Sequence, residues 1–137
     1  MNFKIYTDGA SRGNPGPASA GGIIISPSGG TVYELSIPLG IQTNNYAEYM
    51  ALLLTLQKAK ILGIKKVDVF MDSKLVVEQV QGNWKINNEC LKVINNEIQE
   101  LKSHFEIITF KHIYRNLNKR ADELANKALN DDSQKQI

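Results

Sequence analysis

The chain has 137 residues, 42% of them hydrophobic and 22% charged, with a formal net charge of +2 and a pI near 8.6. That length carries one sizeable core and is short for two, the composition is that of a globular domain rather than a collagen, coiled coil or disordered tract, and so mild a charge names no polyanionic partner by itself. Cys90 is the only cysteine, which excludes an intramolecular disulfide or a cysteine-built zinc site; with no signal-like apolar run and nothing approaching the roughly 18 residues of a membrane span, the expected location is the cytoplasm, with no membrane contact.

Phe3 to Asp8 (FKIYTD) alternates with the period of a strand. It is expected to end on Asp8, because Gly9, Gly13, Pro15, Gly16 and Pro17 bar helix and favour turns. A second strand is predicted over GGIIIS (21–26), and Ser28-Gly29-Gly30 reads as a hairpin turn into a third, TVYELSIPL. From Thr43 the period changes to that of a helix that is apolar on most sides, capped by Thr43 or a neighbouring Asn and stopped at Gly63. KVDVFMD (66–72) is a fourth strand, Ser73 to Gln81 a short helix, and Asn87 to about Ser103 an amphipathic helix. FEIITFKHI is the fifth strand. Asn116 to about Asn130 forms a last helix, with Leu117, Ala121, Leu124, Ala125 and Ala128 on its apolar side.

The order βββαβααβα implies parallel pairing at the centre and antiparallel hairpins to one side. The expected fold class is therefore α/β: a five-stranded mixed sheet with helices packed on it, one domain over residues 1–130 and a frayed tail over 131–137.

Four carboxylates fall at places that matter in such a topology. Asp8 and Asp72 close the first and fourth strands, at the edge where open α/β sheets bind ligands, and Glu48 and Asp122 lie in the opening turns of two helices. Singly, each has a local explanation, since an acid early in a helix complements the macrodipole and an Asp before Gly or Ser makes an Asx-turn. Gathered at one crevice they would repel one another unless a cation sat among them, and an all-oxygen set suits Mg²⁺ or Mn²⁺ rather than zinc.

Four stretches, YTDGASRGNPGP, TNNYAEYMAL, VFMDSKLVVEQVQGNWK and HIYRNLNKRADELANKA, together make the chain resemble a type 1 ribonuclease H of the short, stand-alone bacterial or archaeal kind. The resemblance implies a ribonuclease H-like fold and an endonuclease that cuts the RNA strand of RNA/DNA hybrids, with duplex RNA as a side substrate to be weighed, leaving 5′-phosphate and 3′-hydroxyl ends. It implies that Asp8, Glu48, Asp72 and Asp122 are catalytic and hold two Mg²⁺ ions, for which Mn²⁺ can substitute. It places Gly9 and Ser11 in a loop whose backbone approaches the RNA, Asn14, Asn44 and Asn45 at the sugar edge of the minor groove, and Thr43 on a phosphate of the DNA strand. Lys74 stands where relatives carry an amide near the RNA. His112, ten residues before Asp122, matches an auxiliary histidine; Arg115, in an R-x-x-N arrangement, is the alternative. The implied working form is a monomer with no obligate protein partner.

The chain departs from lobed relatives after the fourth strand, where GNWKINNECLKVINNEI offers only Trp84, Lys85 and Lys92. Hybrid binding is therefore expected to be weaker and more salt-dependent, Trp84 is expected to anchor a core, and no preceding hybrid-binding domain is expected. His104, at a helix end, reads as a cap. A binding module without catalysis and a transposase-type nuclease are the competing classes; the four acids weigh against the first and the length against the second.

Overall fold

The first strand, β1 (Phe3–Ser11), lies at the centre of the sheet, and its alternation decides what goes where. Ile5 and Thr7 are buried on one face, and Tyr6 stacks on Phe70 on the other. The computed structural model describes residues 1–135. β2 (Gly16–Ile25) and β3 (Thr31–Gln42) continue as antiparallel hairpins, and β4 (Lys66–Met71) and β5 (Ile107–His112) add in parallel, giving the order β3-β2-β1-β4-β5. The connections are α1 (Asn44–Ile61), α2 (Lys74–Val80) and α3 (Glu89–Lys102); a single 3-10 turn (Arg115–Leu117) leads into α4 (Lys119–Lys135). No helix among the described residues is long and apolar enough to cross a membrane.

Three of the helices begin on side-chain caps. Thr43 accepts from the Tyr46 N–H at 3.1 Å, Ser73 from Val76 at 3.3 Å and Asn88 from Leu91 at 3.0 Å, each satisfying a donor that the helix leaves open. α1 is buried along most of its length, as its all-round apolar sequence requires, and with α2 and α3 it covers one sheet face through Ile5, Leu52, Leu56, Val67, Val69 and Ile98.

The other face carries α4, and neighbouring glycines of β2 show how thin the layer is. A Cβ on Gly22 would meet the Thr55 side chain of α1, whereas one on Gly21 would lie 2.3 Å from the Ala121 carbonyl oxygen and 2.5 Å from the Ala125 nitrogen of α4. Ser19 and Ser36 fasten α4 by donating to the carbonyls of Ala125 and Leu124, each at 2.6 Å. Gly21→Ala is expected to push α4 off the sheet and lower stability by about 2–3 kcal/mol, seen as a lower urea midpoint at unchanged slope.

Several boundaries differ from the sequence reading. β1 runs past Asp8 to Ser11, because β2 pairs with it out to Ser11↔Ala18; it is the parallel pairing with β4 that stops, at Thr7↔Met71. β2 starts at Gly16 with Pro17 inside it, and β3 extends to Gln42 through Pro38, tolerated because β3 is an edge strand with a register shift there. Leu117 belongs to the 3-10 turn and is exposed, so it takes no part in the α4 stripe. α4 continues to Lys135, beyond the expected tail boundary at 131; residues 136–137 of that tail lie outside the described residues. Trp84, expected in a core, is 44% exposed with the Lys74 ammonium over its ring at 5.9 Å.

Candidate metal centre and cleft

Asp8 sits where β1 loses its parallel neighbour, so its side chain leaves the sheet into the gap that opens beyond β4. Asp72 follows the last residue of β4 at the same edge. Glu48, in the second turn of α1, arrives from above: its Oε1 accepts the Gly9 N–H at 2.5 Å, which locks the helix to the strand. These three acids offer oxygens that all lie within 4.8 Å of one another. Asp122, in the first turn of α4, lines the same cleft, a cavity of about 400 Å³.

Asp8 and Glu48 are each only 6% exposed. Burial, then the Glu48 charge and a hydrogen bond with it, then Asp72 and Asp122, push the Asp8 carboxyl up to about 10. Burial raises Glu48 to about 7 against the hydrogen bonds from Asp8 and the Gly9 amide. Without a cation, the pair therefore keeps a proton between its two carboxyls near neutral pH. The second oxygen of Glu48 is buried with no hydrogen-bond partner, and a buried acceptor left open in an all-oxygen set is what a hard divalent cation satisfies. The residues present fit such an ion.

A pH dependence follows. Both folded-state values lie above those of the unfolded chain, so the folded state binds more protons and its stability falls as pH rises from about 4 through about 7 and toward 10. In chelator, a melting temperature that declines from neutral to alkaline pH, with Mg²⁺ raising it most at the alkaline end, is the expected result.

Gly9, Ser11, Asn44 and Asn45 line the cleft with the acids. Ser11 donates to the Gln42 carbonyl at 3.0 Å, and Asn14 sits just outside the lining, its Oδ1 accepting the Asn44 N–H at 3.1 Å. Thr43 holds the start of α1 as its cap. Lys74 stands apart from the cleft lining, over Trp84. Of the two auxiliary candidates, Arg115 lines the cleft with its Nη2 3.8 Å from Asp122 Oδ1, while His112 ends β5 with its ring 6.2 Å from that of Tyr114 and is not part of the lining. His104 lies past the end of α3, its Nδ1 3.3 Å from the Lys65 ammonium. The sequence reading missed Arg12 and Asn126, which also line the cleft. Arg12 donates to the Asn130 side chain two turns along α4 from Asp122, a contact between positions 118 apart that no local pattern announces.

A family model described as reverse transcriptase-like matches residues 6–128. Ribonuclease HI of Halobacterium salinarum is 43% identical over 126 residues, covering 92% of this chain and 63% of the relative. The crystal structure of RNase H1 from that archaeon matches at a TM-score of 0.91 and 41% identity, over 96% of this chain and 99% of that one. The N-terminal RNase H domain of Rv2228c from Mycobacterium tuberculosis matches equally well, at 0.91 and 40% identity over 94% and 99%. An RNase H1 from a compost metagenome, solved in complex with RNA/DNA hybrid, matches at 0.89 and 41% identity over 95% and 98%. This chain spans 63% of the length of the curated halobacterial relative and 36% of the mycobacterial bifunctional protein. With a family model matching residues 6–128 and a fold and an identity above 40% shared with ribonucleases H across nine-tenths of its length, the chain belongs to the ribonuclease H family, in its type 1 branch.

Proposed function

We propose that the chain is a divalent-metal-dependent endoribonuclease that hydrolyses the RNA strand of RNA/DNA hybrids and leaves 5′-phosphate and 3′-hydroxyl ends. The observation that carries this reading is the meeting within 4.8 Å of oxygens from Asp8, Glu48 and Asp72, three acids that arrive on separate elements. The similarity to a protein solved with such a hybrid supports the substrate.

Asp8, Glu48, Asp72 and Asp122 are the residues that would hold the cations. When bound, two Mg²⁺ ions, or Mn²⁺ in their place, supply the positive charge that makes water nucleophilic at neutral pH and steadies the departing 3′ oxygen. Arg115 adds a permanent cation beside Asp122, suited to offset phosphate charge; His112, outside the lining, is the less direct candidate for an auxiliary role. Gly9 and Ser11 bring main chain close to the RNA strand, and Asn14, Asn44 and Asn45 present amides where 2′-hydroxyls mark RNA from DNA. Thr43, exposed at the start of α1, would take a phosphate of the DNA strand, and Lys74 would lie near the RNA. We place the chain in the cytoplasm, in keeping with its exposed free cysteine, and propose that it works as a monomer without an obligate protein partner.

The test presents labelled RNA/DNA hybrid, duplex DNA and duplex RNA to the protein with Mg²⁺, with Mn²⁺ and with chelator. Expected is metal-dependent cutting of the hybrid's RNA strand, with 5′-phosphate ends on the products. Intact hybrid beside an active control would refute the reading, and equal cutting of duplex DNA would reassign the substrate.

A further inference from the structure

Asn118 stands immediately before the first residue of α4, the place where Asn ordinarily caps a helix with its side-chain oxygen. Thr43, Ser73 and Asn88 all do so in this protein. Asn118 does not: its Oδ1 is buried with no hydrogen-bond partner, although a cap contact is worth about 1 kcal/mol to a helix. The side chain is instead turned inward, with the residue only 1% exposed. Its Nδ2 donates to the Thr7 carbonyl at 2.9 Å, the peptide that leads into Asp8, and to Asp72 Oδ2 at 3.3 Å. Its own carbonyl accepts the Asp122 N–H at 3.1 Å. One residue thus touches the main chain ahead of Asp8, the carboxylate of Asp72 and the main chain of Asp122.

From this diversion we infer that Asn118 is a positioning residue: its amide fixes the orientation of the Asp72 carboxylate relative to Asp8 and to the start of α4, and so sets the affinity and alignment of the divalent cations. The inference rests on the metal-dependent reading above. Partners that orient ligand carboxylates carry a large share of a metal site's quality, and losing one costs about 10–100-fold in affinity or activity. A neutral amide does this without adding charge to the cluster, and its two N–H donors match the two acceptors it meets, the Thr7 carbonyl and the Asp72 carboxylate.

The test uses Asn118→Ser and Asn118→Ala. Serine can cap α4 as Ser73 caps α2 but is too short to bridge Thr7 and Asp72, so the helix keeps its start while the tie is lost. Expected for both is an Mg²⁺ midpoint, read by thermal shift, raised about tenfold or more, and a kcat at saturating Mg²⁺ lowered about tenfold with KM for hybrid within about twofold. A lower melting temperature with an unchanged Mg²⁺ midpoint would overturn the inference, because it would make Asn118 a packing residue only. Should neither variant fold, the wild-type protein decides it: the Asn118 side-chain amide signals in a nitrogen-15 spectrum should move with Mg²⁺ at the same midpoint as the thermal shift, and signals that stay fixed would overturn it. Wild-type protein that binds Mg²⁺ without cutting hybrid would overturn the proposed activity while leaving the Mg²⁺ measurements on Asn118 intact.

Discussion

Asp8→Asn is expected to make the metal-free protein more stable while lowering hybrid cleavage about a thousandfold or more. The two effects have one cause. Asp8 is forced into a buried space with Glu48 and Asp72, and it resists ionisation there up to about 10. An amide has nearly the carboxylate's shape, has no charge to desolvate, and donates to Glu48 as the protonated acid does. At pH 7 the relief is about 2–4 kcal/mol, one pKa unit being about 1.4 kcal/mol. It appears as a higher melting temperature in chelator. The same substitution removes a central cation ligand, so added Mg²⁺ should no longer raise the melting temperature by the wild-type amount. A variant that is less stable than wild type in chelator, or that still cuts hybrid at a comparable rate, would contradict the picture of a strained anionic centre.

Gly9→Ala should be the most damaging single methyl in the molecule. A Cβ at this position would lie 2.3 Å from both the Ala47 carbonyl carbon and the Glu48 nitrogen. Both are main-chain atoms in the second turn of α1, so no rotamer change relieves the clash and the helix has to move away from β1. The expected loss of stability is about 3 kcal/mol. The retreat also breaks the Gly9 N–H to Glu48 hydrogen bond and carries Glu48 away from Asp8 and Asp72. A misplacement of about 1 Å in a catalytic group is enough for about a hundredfold in rate, so kcat should fall further than the loss of folded protein explains. Urea melts and active-site-normalised turnover separate the two contributions.

The order of elements was legible because it rests on local periodicity: the alternation of Phe3 to Asp8, the all-round apolar run from Ala47 to Ala59, and the cap residue Thr43 each act within a few residues. The acids were legible because they stand at strand ends and first turns, and the quoted motifs placed them in a known family. What could not be read depends on partners far along the chain. Glycine and proline argued for a turn through Pro17, yet pairing with Ile41 overrides that preference. Leu117 fits the helical spacing of its neighbours, but the chain tightens into a 3-10 turn there and the side chain faces water. Trp84 is apolar enough for a core, but in the turn after α2 it stays 44% exposed beneath the Lys74 ammonium. Arg12 looked ordinary because its significance lies in a contact across 118 positions, and Asn118 figured only as the last member of the R-x-x-N arrangement, its tie to Thr7 across 111 positions being unreadable locally.

The outer rim of the sheet has a consequence for how copies of this chain meet. β3 is twelve residues long and leaves one side of its backbone without a partner strand, a natural template for zipping onto another molecule. Pro38 removes a donor from that ladder, Leu39 is skipped in the pairing with β2, and Gly40 turns the backbone to a φ of 75°. These irregularities cut the template short after Ile37, so the longest exposed edge of the protein is poorly suited to extending into shared sheets, and concentrated solutions should resist gelation by that route.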